Sequence, residues 1–150
     1  MFIEVYDDAT PAVVWLFAGS SNADDDHRRW LASMIRTDQA IGARRGAALL
    51  IIDDGNPPPP ASVRDDITST ARSIRGKSPL AVVTTSTVAR TIIAGLDFAG
   101  LVAFPIKAFA NEAAAVAWLS RSDLPGVGGA LDAVVLGELV AEARARVVRR

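Results

Sequence analysis

Of 150 residues, 50% are hydrophobic and 22% charged, a balance that suits one folded domain with its own core and excludes general disorder. With no cysteine there is no disulfide framework or thiolate chemistry, and a net charge of −1 leaves no general electrostatic footprint for nucleic acid. The longest apolar runs, Ala12–Ala18 and Ala47–Ile52, are too short to span a bilayer, and no basic-then-apolar leader opens the chain, so a cytoplasmic location is expected.

Phe2–Tyr6 reads as a short first strand. Asp7, Asp8 and Pro11 make a turn into a second strand over Ala12–Ala18, ended by Gly19 and Ser20, and the pair has hairpin spacing. Ser21–Asp26 supplies a helix start with acidic residues where the macrodipole favours them. In that helix Trp30, Leu31, Met34 and Ile35 line one side, and Gly42–Gly46 closes it. Ala47–Ile52 is apolar throughout, which suits a central strand covered on both faces.

Asp53, Asp54, Gly55 and Asn56 precede four consecutive prolines, Pro57–Pro60. The prolines forbid helix or interior strand and favour a stiff polyproline-II elbow. Ser62 or Asp65 can then start a helix with Val63, Ile67, Ala71 and Ile74 facing inward. Arg75–Pro79 leads into a buried strand, Leu80–Val83, which hands over to a helix through the polar cluster Thr84–Thr87. Val88, Ile92, Ile93 and Leu96 recur at helical spacing, with Gly95 and Gly100 bracketing the exit. Pro105–Phe109 is the last strand. Asn111 can cap a helix in which Ala113, Val116, Ala117, Trp118 and Leu119 supply an apolar face. Strand, crossover helix and strand imply parallel pairing. The expected fold is therefore α/β: a mixed, mostly parallel sheet with an N-terminal hairpin, about five strands and four helices, plus a C-terminal helix.

Three segments are expected. Residues 1–120 form the domain, 121–130 a linker rich in Gly, Pro and Ser, and 131–150 an amphipathic helix. In the last, Leu131, Val135 and Leu139 fall a turn apart with Val134 beside them, and Arg144, Arg146, Arg149 and Arg150 close it. Such a helix can pack back on the domain, or serve as an arm for a second subunit or partner. A membrane-surface role fits less well, because its polar side is mixed in sign and lacks interfacial aromatics.

The element order, together with Phe109, Asn111, Glu112, Ala117, Trp118 and Leu119 at the end of the domain, resembles the STAS family, the anti-sigma-factor-antagonist-like fold. The likeness covers about residues 1–120 and is closest to a diverged bacterial branch also likened to lipid carriers. Arg outnumbers Lys fourteen to two, a usage expected of a GC-rich bacterial genome. The resemblance implies a regulatory module that binds protein. Switching members carry Asp-Ser-Ser/Thr-Gly after the central strand. Here Asp53–Asn56 and the prolines stand in that place, leaving Ser62 as the hydroxyl that can cap the next helix or accept a phosphate at its start.

Other chemistries find little support. A phosphoacceptor receiver would use Asp7, Asp8, Asp53, Asp54, Thr84, Thr85 and Lys107, but Asp7 and Asp8 precede a strand where a helix is required. Asp24–Asp26 and His27 are adjacent on one helix start and do not converge as metal ligands. No nucleophile elbow accompanies His27, and Gly76-Lys77-Ser78 precedes a strand, where a phosphate loop precedes a helix. Trp15, Trp30 and Trp118 lie in apolar periodic segments and are expected as core anchors. The expectation is a non-enzymatic interaction module without cofactor. Its binding residues are taken as Asp53, Asp54, Asn56, Pro57, Pro58, Thr84 and Thr85 at the strand ends, with Val134, Val135 and Leu139 on the last helix. A binder of small lipids or apolar ligands, and a homo-oligomer built through Leu131–Arg150, are the alternatives.

Overall fold

A computed structural model describes residues 1–121, 123, 124 and 131–150, so most of the expected 121–130 linker lies outside the described residues. Its elements are β1 (Phe2–Asp7), β2 (Ala12–Phe17), α1 (Asp26–Ile41), β3 (Ala47–Ile52), α2 (Ala61–Ser73), β4 (Leu80–Val83), α3 (Thr87–Ala99), β5 (Ile106–Phe109), α4 (Glu112–Leu119) and α5 (Ala133–Val148). The five strands form one sheet in the order β1-β2-β3-β4-β5, with β1 antiparallel to β2 and the remaining pairs parallel. Among the described residues no helix is long and apolar enough to cross a membrane.

Because each parallel strand is added on the same side of its predecessor, right-handed crossovers put α1, α2 and α3 on one face. The chain then returns over the other face as α4 and α5. Side chains of each strand alternate between two cores. Val13, Trp15 and Phe17 of β2 join Trp30, Leu31 and Met34 of α1, whereas Val14 and Leu16 meet Leu119, Leu136, Leu139 and Val140. All of β2 is buried, as is most of β3, which is why their sequences run apolar without alternation. Trp15, Trp30 and Trp118 are all in the core, and Trp15 Nε1 donates to Ser33 Oγ at 2.7 Å.

The helices depart from their expected faces in several places. Ile35 is exposed while Trp30, Leu31 and Met34 are buried. Helix α4 turns Ala115, Trp118 and Leu119 inward and leaves Ala113 and Ala117 exposed, because residues 113–117 are all small and apolar and spacing does not select a side among them. Asn111 caps it as expected, its Oδ1 accepting from Ala114 N–H at 2.8 Å. Gly95 lies inside α3, and Gly100, with φ at 64°, ends that helix in the left-handed conformation glycine favours. In α2 the cap position belongs to Pro60, so Ser62 sits inside the first turn and does not cap it.

Helix α5 packs back on β1, β2 and α4. Leu136, Leu139, Val140 and Ala143 are buried there, Val135 is half-buried and Val134 stays exposed. Leu139 is thus a core residue, which corrects its expected place on a partner-binding surface. Leu131, just ahead of the helix, is buried too.

Candidate functional site

The carboxyl ends of the parallel strands form one rim, where four connections lie side by side. Asp53 leaves β3 with its N–H donating to Phe17 O of β2 at 3.0 Å, and Thr84 leaves β4 with its N–H donating to Phe109 O of β5 at 3.0 Å. These ladder bonds carry the sheet register past the strand ends and hold the loops in step. Thr85 Oγ1 donates to Asp54 Oδ1, so the β3–α2 and β4–α3 connections are in contact. Thr84 is buried, and its Oγ1 accepts from Ser86 N–H at 3.2 Å, while Ser86 Oγ accepts from Ala89 N–H and starts α3.

Asp53 is the hub of the rim. One carboxylate oxygen accepts from Gly19 N–H at 3.1 Å and the other from Arg144 Nη1 at 2.5 Å. The Arg144 guanidinium also reaches Glu112 Oε1 through Nη2 at 2.5 Å and Nε at 3.0 Å. One cation from α5 thereby holds carboxylates from the β3 end and the α4 start. Burial, the largest influence on Arg144, acts to lower its pKa, but the Glu112 and Asp53 hydrogen bonds and charges outweigh it and raise it above the ordinary arginine value. Its charge is permanent at any working pH.

Asn56 links the proline elbow to the β2–α1 connection. Its Nδ2 donates to Gly19 O at 2.9 Å, and Asn22 Nδ2 donates to Asn56 Oδ1 at 2.9 Å. Pro57, Pro58 and Pro60 then project outward, with Pro59 half-buried. Between the loops lies an open depression of about 640 Å³ bordered by Gly19, Asp54, Thr84, Thr85, Asn111 and Arg144. That is the size of a small-molecule site, but a ligand pocket normally encloses its occupant within apolar walls. This one is open, and its walls mix Ile51, Ile52 and Val83 with the polar loop residues. Its carboxylates already have partners: Gly19 and Arg144 for Asp53, Thr85 for Asp54 and Arg144 for Glu112.

Asp53, Asp54, Asn56, Pro57, Pro58, Thr84 and Thr85 are therefore all on one rim, as grouped from the sequence. Val134, Val135 and Leu139 belong to α5 on the covered face of the sheet. Ser62 is exposed two residues beyond the elbow, in the first turn of a helix that no side chain caps. Gly19, Asn22, Asn111, Glu112 and Arg144 are rim residues that sequence reasoning did not group. The Asp53–Arg144 pair spans 91 positions and carries no local signal.

The receiver set is dispersed. Asp7 pairs with Ala12 at the start of β2, so Asp7 and Asp8 lie at the opposite pole from Asp53. There, hydrogen bonds from Arg44 and then Tyr6 hold the Asp8 carboxyl below its usual range. Lys107 lies over Phe109, 5.6 Å from the ring centroid. Gly76 also lies away from the rim, its N–H donating to Asp38 Oδ1 at 3.0 Å ahead of β4. His27 is buried and stacks on Phe17 at 5.0 Å, and Asp26 beside it accepts from Ala23 N–H at 2.9 Å. Among the described residues no group of three or more His, Cys, Asp or Glu side chains converges as a metal site.

No protein-family model, curated protein or solved structure matches this chain.

Proposed function

We propose that the chain is a non-enzymatic regulatory module of STAS-like type that recognises a protein partner through the strand-end rim. The observation that carries this reading is the joining of the proline elbow to its neighbours: Asn56 bonds the β2–α1 connection and Asp54 accepts from Thr85 across the β4–α3 connection. A stiff, exposed elbow anchored at its base costs little further entropy to order on binding. The rim's internal hydrogen bonds favour recognition over chemistry, since its carboxylates hold loops in place. Its acidic residues, Asp53, Asp54 and Glu112, outnumber the single cation Arg144, which suits a partner segment carrying basic residues.

The test is affinity capture with the full chain, because α5 is part of the core. Wild type is compared with Asp54→Arg at the rim and with Asp66→Arg, an exposed α2 position. A protein held stoichiometrically by wild type and Asp66→Arg but lost with Asp54→Arg is the expected result. Equal capture by all three would remove the rim from recognition.

A further inference from the structure

Helix α3 differs from its neighbour α2 in what it leaves exposed. Neither has a fully buried residue, and α3 rests mainly on the outermost strand β5, turning only Ala89, Arg90, Ile93 and Leu96 partly inward. Val88 is 71% exposed, Ile92 59% and Phe98 95%. On α2, by contrast, the exposed positions include Arg64, Asp65, Asp66 and Arg72. The solvent side of α3 carries Thr91, Ala94 and Phe98 beside Val88, Ile92, Gly95 and Ala99, with no charge among them. Arg90 and Asp97 project from the other side.

Val88, Ile92, Gly95 and Ala99 are spaced four, three and four residues apart, the spacing of a helix-pairing stripe. The stripe is graded in size: its first half is bulky and its second half is glycine and alanine. A Cβ added at Gly95 would meet nothing within 4 Å, so no other part of the chain covers this half. Turned end for end, the stripe complements itself. The absence of charge means that self-pairing brings no like charges together.

We propose that α3 is a self-association helix, pairing antiparallel with α3 of a second copy so that Val88 and Ile92 of each chain seat on Ala99 and Gly95 of the other. A thirteen-residue helix is about 20 Å long. One such pair covers less than the ~1,200 Å² of a standard stable interface, even with Phe98 and Leu101 at its margin. The dimer is therefore concentration-dependent.

Sedimentation equilibrium on the full chain from about 1 to about 500 µM reads this directly, since micromolar binding is half-saturated within that span. The weight-average mass should rise from one chain toward two, and Ile92→Glu should hold it at one with an unchanged circular dichroism spectrum and melting temperature. A mass that stays at one chain throughout, or a dimer that survives Ile92→Glu, overturns the proposal. Orientation is read with single cysteines, which the chain otherwise lacks. Val88→Cys mixed with Ala99→Cys should cross-link through a short thiol-specific reagent at least tenfold faster than either variant alone, because like positions lie about 16 Å apart along an antiparallel pair. Equally fast cross-linking of Val88→Cys with itself would mean parallel pairing and would sink the antiparallel assignment.

Discussion

His27 shows how a residue's place can be legible while its surroundings are not. Beside three aspartates it reads as a helix-start residue, and it lies in the first turn of α1; what the sequence does not announce is its burial against Phe17. Burial, above all, pushes its pKa below the ordinary histidine value; Asp26 acts in the opposite direction, and the charge of the Met1 ammonium adds to the lowering. Below about pH 6.5 the unfolded chain takes the proton first, so the folded state loses stability as pH falls, whereas above that range both states are neutral and the group contributes nothing. Wild type should therefore lose more melting temperature between pH 7 and pH 5 than His27→Phe, which keeps an aromatic ring against Phe17 but does not titrate. Carboxylates that protonate near pH 5 are common to both proteins, so the difference isolates His27. Parallel melting profiles would show that the imidazole is solvated in the native state.

At the scale of elements, how far the fold was legible depended on how much each segment's chemistry restricts it. Ala47–Ile52 and Leu80–Val83 begin and end where the apolar, β-branched runs do, because a strand buried on both faces has only its ends to be specified. Asn111 was readable as a cap because its side chain satisfies a local amide. Alanine-rich α4 offered no such asymmetry, and its inward face is chosen by the sheet beneath it. In α3 the four apolar residues at helical spacing split, Ile93 and Leu96 turning inward and Val88 and Ile92 outward, since periodicity locates an apolar stripe but not what covers it.

The start of α2 carries a prediction of its own. Pro60 occupies the cap position without a side-chain acceptor, and Ser62 is exposed in the first turn. An anion there meets unpaired amides and the positive end of the helix dipole. Ser62→Asp should stabilise the protein by about 0.5–1 kcal/mol, a rise of about 2–4 °C in melting temperature, and a phosphate on Ser62 should act in the same direction. Thermal melts at low and high salt test it: the gain should shrink with added salt, and a salt-independent or negative change would remove the helix-dipole account.

In the whole molecule, the candidate site was legible as far as its local segments and no further. The elbow and the threonine turn declare themselves in sequence, whereas Arg144 reaches Asp53 and Glu112 only after α5 has folded over the sheet. That same packing decides whether residues 131–150 are a detachable arm. Leu136, Leu139 and Val140 are buried against Ile3, Val5, Val14 and Leu16, and Arg146 Nη1 donates to Glu4 O at 2.8 Å on the outer strand β1. Three such side chains at about 1.5–3 kcal/mol each amount to about 5–9 kcal/mol. That is comparable to the roughly 5–15 kcal/mol that separates a domain from its unfolded state. Truncation after residue 130 should therefore abolish cooperative unfolding of the remaining chain, with exposed apolar strands that bind a hydrophobic dye and aggregate. An arm that merely docks would leave a chain with native near-ultraviolet circular dichroism and a sharp melt. If the truncated protein shows these, the β1–β2 face is self-sufficient and α5 is free to exchange that face for another partner. If it does not, the rim and the helix that pins it are one folding unit, and a change that loosens α5 will be felt at Asp53.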